Sequence, residues 1–205
     1  MSRLLGLSTT EFLALYSDNG GTTLRFGDDG RCVFVTPAGC KVHAARPLVC
    51  RLYPLGRATD GAGDEGFALF PKQDGCEAEF GADGTIADFL ESQGVAPYIE
   101  WSVRYGALYR RMLGLLDRLG VQGKVEGGEG GESGGPAGRA PESPISEWQD
   151  IDASLAEHCA AKGIAAPAGI EESIDLHLEA MREWLDGLEA DMGPGPDDPE
   201  GEGKT

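Results

Sequence analysis

CKVHAARPLVCRLYP, residues 40–54, decides how this chain is read. Two cysteines bracket a histidine and an Arg-Pro pair, and Arg51-Leu52-Tyr53-Pro54 follows at once. Pro47 and Pro54, with Pro37 and Gly39 just upstream, interrupt any long helix or strand. Cys32 lies before this stretch and Cys76 after it, so four thiols fall within 45 residues, spaced C-x7-C-x9-C-x25-C. A segment with few regular hydrogen bonds and a modest core needs a staple to become ordered, and that is a physical reason to expect the cysteines to act together.

Three chemistries compete for them. Four thiolates suit tetrahedral zinc, and iron–sulfur clusters take the same number. The spacing lacks the C-x2-C knuckle of zinc ribbons and the C-x2-C-x2-C of ferredoxins. Cysteine also fills buried space as a small apolar side chain, which accounts for one or two such residues more easily than for four in an irregular stretch. Redox-active disulfides are the third reading, and the chain's five cysteines leave at least one thiol unpaired in any such scheme within one chain. His43, three residues after Cys40, is a candidate to replace one thiolate or to stay a surface hydrogen-bonding group. Arg46 and Arg51 flank Cys50, where guanidinium charge would offset a metal–thiolate site or pair with local carboxylates. Cys159 stands apart in LAEHCAAKG. Its neighbour His158 points about 100° away on a helix, so the two do not chelate together, and Cys159 reads as a packing residue.

Working outward, Ser8-Thr9-Thr10-Glu11 is a capping box that opens a short helix carrying Phe12, Leu13 and Leu15 toward Ser17-Asp18. Thr22–Phe26 and Arg31–Thr36 flank Gly27-Asp28-Asp29-Gly30 and read as a hairpin, with Cys32 at the start of its second strand. Phe67–Pro71 is a further short strand. Thr85 and Asp88 cap a helix that Gly94 closes, and Pro97 opens a longer one. Tyr98, Trp101, Tyr105, Leu108, Met112, Leu115 and Leu119 recur there in steps of three and four, the signature of a core face. After a Gly/Glu/Pro/Ser-rich run at 122–144, two more helices are expected, at Ile151–Lys162 and from about Ile170 to Leu188. The second carries Ile174, Leu178, Met181, Leu185 and Leu188 on one stripe.

The fold class expected is therefore α+β: a small, largely irregular cysteine-cluster core with a short hairpin, packed by several α-helices. Residues 1–121 form the cysteine-cluster domain and 122–144 a disordered insertion. Residues 145–192 are helices docking on the core, and 193–205 an acidic disordered tail.

Charge is unevenly spread. Residues 1–121 carry 12 Lys+Arg against 15 Asp+Glu, and residues 122–205 carry 5 against 20, which together give the net −18. That balance argues against nucleic-acid binding, where phosphate neutralisation demands a cationic surface. The acidic part reads as a solubilising tail or as an arm for a protein partner. No apolar run approaches the length a membrane span needs, and MSRLLGLSTTEF has too short an apolar run for a secretory signal. The cytoplasm is the expected compartment, where thiols stay reduced. No Gly-rich run has the flanking strand and helix of a phosphate-binding loop, and no nucleophile elbow supports a hydrolytic triad.

Gly30-Arg31-Cys32-Val33-Phe34, Gly39-Cys40-Lys41-Val42-His43 and Arg46-Pro47-Leu48-Val49-Cys50-Arg51-Leu52-Tyr53-Pro54 together resemble the signature of the YkgJ-type cysteine-cluster family of zinc- or iron-chelating domains. The resemblance covers residues 4–119, including LGLSTTEFLALYS and Cys76. It implies metal chelation by Cys32, Cys40, Cys50 and Cys76, with zinc, iron or an iron–sulfur cluster as the group held. The earlier cysteines usual in that family, ahead of the LGLS segment, have no counterpart in residues 1–4. A non-catalytic metal-binding module is the leading functional expectation. The alternatives are a metal-dependent or iron–sulfur enzyme related to flagellin lysine-N-methylase-like proteins, and an interaction protein whose metal-stapled core presents the acidic arm.

Overall fold

A computed structural model describes residues 1–59, 64–71, 81, 84–120 and 148–193. The expected insertion at 122–144, Cys76 and all but the first residue of the expected tail lie outside the described residues. Seven helices and small antiparallel sheets make up the described chain, a general α+β architecture. No helix among these residues is long and apolar enough to cross a membrane. The chain divides into two compact units. One comprises Met1, Arg3–Leu5 and Phe34–Arg104; the other comprises Ser2, Gly6–Val33 and Tyr105–Thr205.

The second unit is helical. After the short α1 (Ser2–Leu5), α2 spans Thr9–Tyr16. Its capping box forms as the residues predict: the Glu11 amide donates to Ser8 Oγ, and the Ser8 amide donates to the Glu11 carboxylate. The Ser8 amide and hydroxyl, both donating to it, hold the Glu11 carboxyl below the usual carboxylate range. Strands β1 (Ser17–Asp18) and β2 (Thr23–Leu24) pair with each other. The hairpin expected over 22–36 forms only around its turn. Phe26 and Cys32 face each other across an antiparallel bridge, and the Gly27 amide donates to the Arg31 carbonyl at 2.8 Å. The outer parts of both expected strands pair instead with their nearest neighbours in sequence, the choice that closes the shorter loop.

The same unit takes the second part of α5 (Ala96–Arg118), then α6 (Ile151–Lys162) and α7 (Ile170–Met192). Leu108, Met112 and Leu115 of α5 bury against Leu178, Met181 and Leu185 of α7, with Tyr105, Trp148, Ile174, Trp184 and Leu188 around them. Leu119, the last of the expected stripe, is exposed. Thr9 ties α2 to α6: its hydroxyl donates to Asp150 at 2.6 Å, and its amide donates to Asp152 at 2.8 Å. Arg111 reaches from α5 to Glu189 and Asp186 on α7 at 2.6–2.8 Å, which raises its own affinity for the proton and holds the Glu189 carboxyl low.

The first unit is built from short pieces. Strands β3 (Val35–Thr36) and β4 (Gly39–Cys40) flank a two-residue turn at Pro37-Ala38, and Gly39, which opens β4, adopts φ +104°, a conformation that side chains resist. A single 3₁₀ turn at His43–Ala45 leads to α3 (Leu48–Leu52), and β5 (Leu55–Thr59) pairs with β6 (Glu65–Leu69). The β6 strand begins two residues earlier than its sequence suggests, and β5 has no counterpart in the sequence reading, which took residues 37–76 as irregular apart from Phe67–Pro71. Helix α4 (Ile86–Ser92) carries the predicted Thr85–Asp88 capping box, which lowers the Asp88 carboxyl. Among the described residues of this unit, the buried apolar side chains are Phe34, Val42, Leu52 and Val95.

Candidate metal centre

Cys40 ends β4, opposite Val35, and is half-buried; the adjacent Lys41 amide donates to the Phe34 carbonyl at 2.9 Å. Val42, 2% exposed, anchors the chain immediately after it. Cys50 sits in α3 with its amide 3.0 Å from the Pro47 carbonyl, and its residue is exposed. These two cysteines belong to the first unit. Cys32, half-buried at the bridge with Phe26, belongs to the second, and Cys76 lies outside the described residues. Among the described residues, no group of three or more His, Cys, Asp or Glu side chains is gathered as a metal cage. The sequence-predicted ligands are thus placed one by one, Cys40 and Cys50 in one unit and Cys32 in the other.

What the structure does build in the 43–52 segment that carries Cys50 is a guanidinium frame. Arg51 spreads its donors over three backbone carbonyls: Arg46 at 3.1 Å, Gln93 at 2.9 Å and Ala44 at 2.8 Å. It also donates to the Tyr98 hydroxyl at 3.0 Å, and its guanidinium carbon lies 4.4 Å from the centre of the Tyr98 ring. One side chain therefore ties the 43–52 loop to the end of α4 and the start of α5. A planar fork of five donors is suited to this; a lysine ammonium is not.

Arg46, in extended backbone before α3, donates to the Gln93 side-chain carbonyl, and its Nη1 lies 3.1 and 2.9 Å from the two ring nitrogens of His43. A guanidinium at that distance competes with any cation for the imidazole, so His43 is poorly placed as a metal ligand. The Arg46 Nε is buried with no hydrogen-bond partner among the described residues. Neither Arg46 nor Arg51 forms an ion pair with a described carboxylate. Two guanidiniums with no carboxylate partner among the described residues suit a group that carries negative charge. The donor set thus fits a metal–thiolate group, which carries net negative charge.

Sequence reasoning singled out Arg46 and Arg51 but missed Gln93 and Tyr98, which complete the frame. The sequence pattern puts Tyr98 on the core stripe, and no residue type marks a backbone carbonyl as the acceptor of a distant arginine. Cys159 is 5% exposed on α6 and packs as a small apolar side chain. No protein-family model, curated protein or solved structure matches this chain.

Proposed function

We propose that this protein is a non-catalytic metal-binding module. Its site takes thiolates from Cys32, Cys40, Cys50 and Cys76, and it holds zinc or iron. The observation that carries the reading is the guanidinium frame. Arg51 holds the Cys40–Cys50 loop in shape through neutral acceptors, leaving its charge and that of Arg46 without a described carboxylate. The resemblance of the three cysteine motifs to chelating domains supports the same reading.

In this reading each residue has a physical task. Cys40 and Cys50 supply thiolates from either end of the loop. Arg46 and Arg51 stabilise the anionic form of the site. Val42 and Leu52, both buried, fix the backbone beside each cysteine. The ion, when bound, supplies cross-links between points of chain that share few apolar contacts, so its binding free energy becomes folding free energy.

The test is metal analysis and a visible spectrum of protein purified without oxygen. About one zinc or iron per chain is expected, lost in Cys50→Ser and retained in Cys159→Ala. Sulfur-to-iron charge-transfer bands would assign an iron–sulfur cluster. Wild-type protein that stays metal-free after anaerobic growth with both metals and titration with zinc would overturn the proposal.

A further inference from the structure

The second unit carries a cleft that the cysteine chemistry does not use. It has a volume of about 430 Å³, and its lining includes Trp148, Trp184, Ser154, His158, Glu157 and Glu183. That volume falls in the range that accepts small molecules. Trp148 and Trp184 stand with ring centres 5.5 Å apart and planes at 54°, and Trp148 is backed by His177 at 5.7 Å. His177 is itself 1% exposed, and its Nδ1 lies 2.9 Å from the Tyr105 hydroxyl. The two indoles are therefore held by packing from behind, while their remaining surface lines the cleft.

The charges in the lining are one-sided. Glu183 is paired with Lys162 at 2.8 Å, whereas Glu157 has no hydrogen bond or ion pair among the described residues. An unneutralised carboxylate beside two indoles disfavours phosphates and carboxylates. Small metal ions are also disfavoured, because Glu183 is held by Lys162 and no group of three or more His, Cys, Asp or Glu among the described residues is gathered to replace their water. A weakly hydrated organic cation gains from both features: the indole faces attract it through their quadrupoles, and the carboxylate adds a Coulomb term. Ser154 and His158 add polar groups for the uncharged end of such a molecule. We infer that the α6–α7 cleft is a binding site for a small organic cation with an alkylated ammonium head, seated on Trp148 and Trp184 and countered by Glu157.

The test is titration of the full chain with choline chloride, followed by NMR of the three tryptophan indole N–H signals. Trp148 and Trp184 are expected to shift saturably at millimolar choline while Trp101, in the other unit, stays put. The neutral isostere 3,3-dimethylbutan-1-ol keeps the shape and loses the charge; it is expected to bind at least five-fold more weakly. Glu157→Gln, an exposed substitution that leaves the helices intact by circular dichroism, is expected to weaken choline binding at least three-fold. Equal binding of the isostere would overturn the inference. So would unchanged affinity in Glu157→Gln, or the absence of any saturable shift at Trp148 and Trp184.

Discussion

The two units of this molecule are held together by different physics. In the helical unit, apolar side chains from α2, α5, α6 and α7 do the work: Phe12, Leu108, Met112, Leu115, Leu155, Leu178, Met181 and Leu185 are all buried. In the unit that carries Cys40 and Cys50, here the cysteine unit, four apolar side chains are buried among the described residues, and its loop is shaped by Arg51 reaching backbone carbonyls. A helix stripe supplies its own hydrogen bonds and needs only a partner face. An irregular loop has to find acceptors and cross-links elsewhere, and each one recruited is a single point of failure. The helical unit should therefore yield gradually to substitution, and the cysteine unit abruptly.

The largest expected effect tests that difference directly. Structural zinc in small sites contributes on the order of 10 kcal/mol of apparent free energy. A strong chelator under reducing conditions is expected to abolish hydrogen-exchange protection at residues 40–52 and leave α7 protected. Cys50→Ser should do the same without chelator, far beyond the ~1 kcal/mol of an average point change. Protection at 40–52 that survives chelation would show that Arg51 and the four buried apolar residues suffice, and would collapse the distinction between the units.

A core substitution probes the other side. Leu178 is fully buried between α5 and α7. Leu178→Ala is expected to cost roughly 3–4 kcal/mol, the range for a leucine cavity in a packed core. Measured by urea denaturation of metal-loaded protein, the loss should appear in the helical transition. A loss below about 1 kcal/mol would mean the α5–α7 face is not the unit's main source of stability.

How much of this was legible in the sequence follows the same divide. The capping boxes at Ser8–Glu11 and Thr85–Asp88 were readable because both partners lie within four residues, and α6 matched its expected bounds for the same local reason. The α7 stripe was readable because a period of 3.6 leaves a mark on composition, although the helix continues to Met192. The β5 strand was not readable: Leu55-Gly56-Arg57-Ala58-Thr59 lacks alternation, and most of β6 opposite is exposed. Its pairing is visible only once Leu55 meets Leu69. The cysteines were conspicuous as residues, but spacing along the chain carries no distance in space. Arg51 was conspicuous as a charge, yet its partners are carbonyls that any residue supplies.

Acid should separate the units in a different way. His177 is buried, and desolvation lowers its pKa from 6.5 to about 4, so it is neutral in the folded state at neutral pH. The unfolded chain binds this proton first. Stability of the helical unit is then complete above about pH 6.5 and falls as pH drops toward 4, by roughly 3 kcal/mol in all. The low carboxyl of Glu189 acts in the same direction but in a lower window, since its contribution is lost only as pH falls below the ordinary carboxylate range. A His177→Gln variant whose stability is flat between pH 6.5 and 4.5, against a sloping wild type, is the expected result. Parallel slopes in the two proteins would place the acid sensitivity elsewhere.

The smallest effect concerns the Thr9 tie between α2 and α6. The Thr9 hydroxyl donates to Asp150 and accepts from the Asp152 amide at 2.8 Å, while the Thr9 amide donates to the Asp152 carboxylate. Asp150 also caps α6 through the Ala153 amide at 3.2 Å. Thr9→Val keeps the shape and the backbone bond but removes both hydroxyl contacts, leaving the Asp152 amide without its acceptor. Net hydrogen-bond contributions of about 1 kcal/mol, plus a similar penalty for a part-buried unpaired donor, give an expected loss of roughly 1–2 kcal/mol. Thr9→Ser retains the hydroxyl and should recover most of it. Because α2 also places Phe12 in the core, the loss should appear as faster exchange at the first turns of α2 and α6 while α7 is unchanged. If Thr9→Val proved neutral while Thr9→Ser did not, packing of the methyl group rather than the hydroxyl bridge would join these two helices, and the helical unit would rest on apolar contact alone.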